Sequence, residues 1–175
     1  MLKELVLGTM MSLTPTASAD TVPTHKQWQI DQAYCLAQNV YFEARNQPLA
    51  GQMAVISVTI NRVNDKRFPN SICGVVYEGP HRPSWKDNTV MIPVRHRCQF
   101  SWYCDGLSDR IHDMTTFDSI FTLTMGVVDG SYKIADITEG ATHYHADYVE
   151  PAWAKTKTKT IEIEDHIFYR WEIAE

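Results

Sequence analysis

From Gln27 to Arg45 the apolar residues fall at Ile30, Ala33, Tyr34, Ala37, Val40, Tyr41 and Ala44. This three-and-four spacing predicts an amphipathic helix, because such positions share one face of a 3.6-residue turn. Pro48 predicts its end, since proline disfavours helical geometry in the residue before it. Asn46 is expected to close the helix in the left-handed conformation, which Asn tolerates better than most residues. A second helix is predicted from Pro48 to Val63, with Leu49, Met53, Ile56, Ile60 and Val63 as its main stripe. Ala54, Val55 and Val58 widen that apolar surface, which places this helix in the core. Residues 64–71 form a polar turn leading to a short helical turn at Ile72–Tyr77. From Glu78 to Asp113 the pattern is irregular, broken by Gly79, Pro80, Pro83, Pro93 and Gly106. A long irregular segment inside a compact domain is usually a functional loop. A further helix is predicted over Thr115–Val128. Two strands follow, Thr142–Val149 and Thr160–Trp171, both rich in β-branched and aromatic residues, as a closing hairpin. The lysine–threonine tract Lys155–Lys159 reads as a solvated turn or edge. There is no internal repeat, and the fold class is α+β.

Composition narrows the choices. A chain of 175 residues suits one domain, and 44% hydrophobic with 21% charged residues excludes extensive disorder. The net charge is −5 and the 16 Lys and Arg residues form no concentrated run, which argues against nucleic-acid binding. The first nineteen residues differ in texture: Lys3, then an apolar stretch from Leu5 to Leu13, then Ala17-Ser18-Ala19. That is the order of a secretory signal peptide cleaved after Ala19, although Glu4, Gly8, Thr9 and Ser12 dilute it. The expectation is an exported protein, in the periplasm or cell wall, with residues 20–175 as one domain. No other apolar run approaches the ~20 residues of a membrane span. Cys35, Cys73, Cys98 and Cys104 permit three pairings. Cys98 and Cys104 bracket an aromatic turn, which favours Cys98–Cys104 and, by elimination, Cys35–Cys73. Zinc fits less well, as there is no CxxC; four free thiols are the remaining alternative.

The chemistry centres on Glu43. It follows Val40 by three positions and Leu36 by seven, so all three project from similar sides of the first helix. A carboxylate beside an apolar stripe is partly desolvated, and the negative end of the helix dipole pushes the same way; both favour the protonated form. A carboxyl that keeps its proton near neutral pH can protonate a glycosidic oxygen as the bond breaks. The plain alternative is a rim glutamate paired with Arg45 or Arg62.

Several ordered motifs decide between these. Tyr41-Phe42-Glu43-Ala44-Arg45, Gly51-Gln52, Ala54-Val55, Asn61-Arg62-Val63 and Phe68-Pro69 come first. Cys98-Gln99-Phe100-Ser101 and Ala141-Thr142-His143-Tyr144-His145-Ala146 follow in the same order. Together they resemble the SleB/CwlJ-like cell-wall hydrolase family over about Cys35 to Tyr169. The family includes spore-cortex-lytic enzymes and bacterial and bacteriophage wall hydrolases, which leaves a phage or a bacterial source equally open. The resemblance implies a lysozyme-like fold and no metal or cofactor. It also implies cleavage between N-acetylmuramic acid and N-acetylglucosamine of peptidoglycan, with the catalytic glutamate at Glu43. One departure is that Asn46-Gln47 stand where the family usually has Gly-Glu, which removes a carboxylate near the site.

Ordinary glycosidases use two carboxylates. Asp87, Asp105, Asp109 and Glu139 are the candidates for a second, none of them compelling. A lytic transglycosylase needs only one acid, which protonates the leaving oxygen and then takes the proton of the muramic acid 6-hydroxyl. That route is preferred, with hydrolysis by water as the competitor. Gln99 and Ser101 are expected in the cleft, because amide, hydroxyl and aromatic groups together suit sugars; Phe100 reads better as core. His143, Tyr144 and His145 are expected to supply further substrate contacts. The two histidines share one strand face, with Tyr144 on the other; one histidine would orient Glu43 or touch sugar while the other packs. With His166 or Glu43 they could instead hold zinc in a metal-dependent peptidase or amidase, but no HExxH helix is present. A wall-binding module without catalysis is the third class. The expected partner is the glycan strand, met by a monomer.

Overall fold

The computed structural model describes residues 23–172; the leader expected over residues 1–19 lies outside them. The first helix, α1 (His25–Ala44), opens at Thr24, whose hydroxyl accepts from the Gln27 backbone N–H at 3.2 Å. Such a cap satisfies one of the free donors of the first turn. Its predicted stripe is buried at Ala33, Ala37, Val40, Tyr41 and Ala44, while Tyr34 stays exposed. Leu36, Gln32 and Asn39 are buried as well, so the helix is enclosed on more than one side.

Asn46 does not take the left-handed conformation expected of it; among the described residues other than glycine only His96, Glu139 and Glu164 do. The Gln47 N–H instead donates to the Ala44 carbonyl at 3.0 Å, and Pro48 starts the next helix directly. That helix, α2 (Leu49–Asn64), runs through the core with Ala54, Val55, Ile56 and Val58 fully enclosed. Its small residues are buried more deeply than the predicted stripe, of which Leu49 is exposed. The short α3 (Ile72–Val76) is capped by Ser71, and α4 (Met114–Asp129) by Asp113; Gly130 ends α4 at φ 81°, where a side chain would be strained. Helices α1 to α4 share one apolar core with Phe100 and Trp102.

The segment predicted as irregular contains a small antiparallel hairpin, β1 (His81–Pro83) with β2 (Met91–Pro93), and a 3₁₀ turn at Ser101–Cys104. Three-residue strands flanked by proline leave no alternation to detect. The C-terminal part corrects the two-strand hairpin. Its strands are β3 (His143–Ala146), β4 (Thr158–Ile163) and β5 (His166–Arg170), antiparallel in the order β3-β5-β4. The long strand predicted over Thr160–Trp171 is therefore two strands, folded at Glu164-Asp165 with Glu164 at φ 51°. No Gly or Asn marks that turn, so the apolar alternation seemed continuous. Lysines 155–159 span the end of a 3₁₀ turn (Ala152–Thr156) and the start of the edge strand β4. Cys35 pairs with Cys73, tying α1 to α3, and Cys98 pairs with Cys104 across the 3₁₀ turn. No helix among the described residues is long and apolar enough to cross a membrane.

Candidate active site

A cleft of about 530 Å³ opens between the end of α1, the Gln99–Asp105 loop and the β3–β5 ribbon. Its lining includes Phe42, Glu43, Arg62, Gln99, Ser101, Trp102, Tyr144 and His145. The sequence-predicted residues Glu43, Gln99, Ser101, Tyr144 and His145 thus converge on one space, although they come from distant parts of the chain. His143 does not join them.

The Glu43 carboxyl accepts from the Tyr144 hydroxyl at 2.9 Å. Burial holds the acid above the ordinary carboxylate range, against the Tyr144 hydrogen bond and the positive charge of Arg62, which pull it down. The Tyr144 phenol is pushed far up, first by burial and then by the neighbouring Glu43, so it remains a donor at any working pH. The cause at Glu43 is therefore enclosure beneath β3, and no helix-dipole contribution is needed to account for it.

The walls are aromatic. Phe42 and Trp102 stack with ring centres 4.6 Å apart, and the Trp102 indole N–H donates to the Asn39 Oδ1 at 3.0 Å. Asn39 in turn donates to the Thr59 hydroxyl at 3.2 Å, so α1, α2 and the loop are joined by a buried polar link. Gln99 and Ser101 are exposed in the cleft, whereas Phe100 is buried beneath the Arg62 guanidinium, 4.7 Å from its ring centre. Tyr148, the most exposed large hydrophobic side chain among the described residues at 86%, stands on the rim. Sequence reasoning had it only as a strand residue; its exposed ring next to the HYHA motif was the available signal.

His143 and His145 do share a face, packing against Trp153 at 5.4 and 5.7 Å between ring centres. His143 is held there by Phe68 and Trp171 as well. Burial, with Arg62, Lys157 and Arg67 nearby, lowers its pKa to about 3. His145 is fixed by the Tyr169 hydroxyl at 3.0 Å and reaches the cleft edge. His166 lines the cleft from β5, its pKa lowered chiefly by burial. Among the described residues no three His, Cys, Asp or Glu side chains are grouped so as to hold a metal ion.

Of the second carboxylates considered, Asp105 lines this cleft, but its Oδ1 already accepts from the Leu107 N–H at 2.7 Å. Asp109 lies in the adjoining depression, which shares Phe42, Trp102 and Asp105 with the cleft. Asp87 and Glu139 line neither. Gln47 is turned away, donating to Asp165 at 2.6 Å. Arg62 entered the sequence reading only as a possible partner of Glu43, and Glu78 did not enter it as a site residue. Arg62 is buried against the cleft floor with its Nε donating to the Thr142 carbonyl at 2.7 Å. The Glu78 carboxyl is raised by burial against the opposing influence of Arg62 and Gln99.

Comparison with known proteins bears on the fold and the family. The chain is similar in structure to the catalytic domain of the germination-specific lytic transglycosylase SleB from Bacillus anthracis. The identity is 25% and the TM-score 0.55, over 85% of this chain and all of that one. The catalytic domain of the Bacillus cereus SleB protein gives 25% identity and a TM-score of 0.50, over 80% of this chain and 91% of that one. In sequence it is 54% identical over 43 residues to the spore cortex-lytic enzyme of Bacillus subtilis, 25% of this chain and 14% of that protein. It is 37% identical over 70 residues to that of Halalkalibacterium halodurans, 37% of this chain and 21% of that protein. The alignments thus span less than a third of those relatives' length. The fold is that of the SleB catalytic domains, the lysozyme-like α+β class expected from the sequence. The family model for Cell Wall Hydrolase matches residues 46–169, beginning just after Glu43, and the chain belongs to that family.

Proposed function

We propose that this protein cleaves peptidoglycan glycan strands between N-acetylmuramic acid and N-acetylglucosamine, as a lytic transglycosylase with Glu43 as acid and then base. The observation that carries this is the Glu43 carboxyl, desolvated in an aromatic cleft and aimed by one hydrogen bond from Tyr144. The protonated carboxyl gives its proton to the glycosidic oxygen as the bond to muramic acid C1 breaks. The resulting carboxylate takes the proton of the muramic acid 6-hydroxyl, whose oxygen closes on C1. A 1,6-anhydro ring forms, no water is consumed, and Glu43 returns to its acid form. Tyr148 and the partly exposed Phe42, backed by the buried Trp102, offer aromatic surface for sugars, while Gln99 and Ser101 offer hydrogen bonds. The relatives' names, spore cortex-lytic enzyme and lytic transglycosylase, support the same reading.

Such a substrate lies outside the cytoplasm, and two disulfides fit an oxidising compartment, which supports an exported protein. Asp105 in the cleft lining supports one competing reading, hydrolysis with a carboxylate activating water. Purified wall treated with the protein separates the two. Loss of turbidity with anhydromuramic products in mass spectrometry is expected; reducing-end muramic acid alone would overturn the transglycosylase reading. Glu43→Gln is expected to slow clearing by about 10²-fold or more, the scale of general acid catalysis. Clearing unaffected by that change would remove Glu43 from the chemistry.

A further inference from the structure

The cleft continues into a second depression of about 500 Å³, which shares Phe42, Trp102 and Asp105 with it. One side of this depression carries Arg45, the residue that ends α1, two positions beyond Glu43. The other side is the loop 107–113. That loop is anchored at both ends. The Arg95 Nε donates to the Asp105 carbonyl at 2.9 Å, and the Leu107 N–H donates to the Asp105 carboxylate at 2.7 Å. At the far end the Tyr41 hydroxyl accepts from the His112 and Asp113 backbone N–H groups at 3.3 and 3.1 Å.

Between these anchors Asp109 and Arg110 are exposed, and neither forms an ion pair among the described residues. Arg45 has no carboxylate partner either; its guanidinium lies over the Tyr41 ring, 5.0 Å from the centre, and donates to the Tyr41 carbonyl at 3.4 Å. Two guanidinium groups and a carboxylate thus line one hollow beside the cleft without neutralising one another. Such a hollow is complementary to a ligand that carries both signs of charge. Burial and the negative charge of Asp105 raise the Asp109 pKa, and a cation placed beside these two carboxylates would relieve their repulsion.

The substrate proposed above has such a part. N-acetylmuramic acid bears a lactyl group on its 3-oxygen, from which a short acidic peptide stem hangs, and the diamino acid of that stem adds an ammonium group. The stem has to leave the cleft beside the ring being cut. Another hollow borders the cleft at His145, but it is smaller, about 370 Å³, and its Lys155 and Glu150 already pair at 3.7 Å.

We propose that the depression beside Phe42 is a subsite for the peptide stem, with Arg45 and Arg110 receiving stem carboxylates and Asp109 receiving the ammonium of the diamino acid. The protein then favours stem-bearing glycan over bare glycan. The proposal rests on the reading of the Glu43 cleft as the glycan site.

Two measurements test it. The first needs no cleavage: the Glu43→Gln chain, labelled with ¹⁵N, is titrated with the free stem tripeptide that ends in diaminopimelate. Saturable shifts are expected in the backbone signals of residues 107–112, and adding Asp109→Asn or Arg110→Gln should weaken binding about fivefold or more, the scale of a charge-assisted hydrogen bond. Both positions are exposed, so these changes leave the core intact. Absent shifts, or shifts that both changes leave alone, overturn the proposal. The second compares kcat/KM on wall glycan with that on the same glycan stripped of stems by an amidase. The parent chain should prefer the stem-bearing strands about tenfold or more, chiefly through KM, and the double change Asp109→Asn with Arg110→Gln should abolish most of that preference. Equal values on the two glycans for the parent chain overturn the proposal. A chain that binds the tripeptide at residues 107–112 but cuts neither glycan would sink the proposed function and uphold the subsite.

Discussion

Tyr144 works on Glu43 in two opposed ways. Its hydroxyl orients the carboxyl, and the same hydrogen bond favours the ionised form, partly offsetting the effect of burial. Tyr144→Phe should therefore move the alkaline limb of the rate profile to higher pH while lowering the maximum rate about tenfold, a loss on the scale of a misplaced catalytic group. A pH–rate series on wall fragments checks both effects; a limb that moves down would show that Tyr144 does not stabilise the carboxylate. Glu43 was legible in the sequence through the ordered motifs around it, whereas its enclosure comes from β3, distant in the chain. Glu78 was not, because where its side chain lies depends on how the loop after α3 packs, and nothing near it in the chain encodes that. His143 illustrates the same limit. The two-residue strand period put it on the face shared with His145, but only the packing of Trp153 and Trp171 takes it away from the cleft.

Among the elements, the helices were read closely because their periodicity and caps are short-range. The hairpin His81–Pro93 was not, since its strands are only three residues long, and the turn at Glu164-Asp165 was not, since it carries no Gly or Asn. What locks the elements together is partly polar. Asn39, 0% exposed, joins Trp102 to Thr59. Asn39→Leu would leave the buried indole N–H without an acceptor, at a cost of about 2–4 kcal/mol. A fall in Tm of roughly 5–15 °C is expected in thermal denaturation, and cleavage should weaken too, since Trp102 forms the cleft wall. The two disulfides should divide differently. Cys35–Cys73 spans 38 residues and Cys98–Cys104 only 6. Chain entropy then assigns about 4 kcal/mol to the first and about 2 kcal/mol to the second. Paired Cys→Ser changes are expected to lower Tm more for the first pair. The second pair should affect wall cleavage more than its stability cost suggests, because it braces Gln99, Ser101 and Trp102.

For the whole molecule, the buried titratable groups set the pH range of stability from both sides. His143 is depressed to about 3 from its ordinary value near 6.5, and His166 is lowered as well. The unfolded chain binds those protons first, so the stability these histidines contribute is complete above about pH 6.5 and is lost as pH falls towards 3. Glu43 works in the other direction. Its folded-state pKa is raised, so its contribution is complete below the ordinary glutamate range and is lost as pH climbs through the raised value. Glu43→Gln keeps an acceptor for the Tyr144 hydroxyl and removes the buried charge. Its Tm should match that of the parent chain near pH 4 and exceed it by a few degrees at pH 8, each 1 kcal/mol being about 2–4 °C in a chain of this size. His143→Phe retains a ring against Trp153 and should flatten the acid side instead, with no effect above pH 7. Melting curves of the three chains from pH 4 to 9 check both limbs. A Glu43→Gln advantage that shrinks as pH rises would mean that Glu43 is stabilised as a carboxylate, and would remove the basis for its acting as an acid.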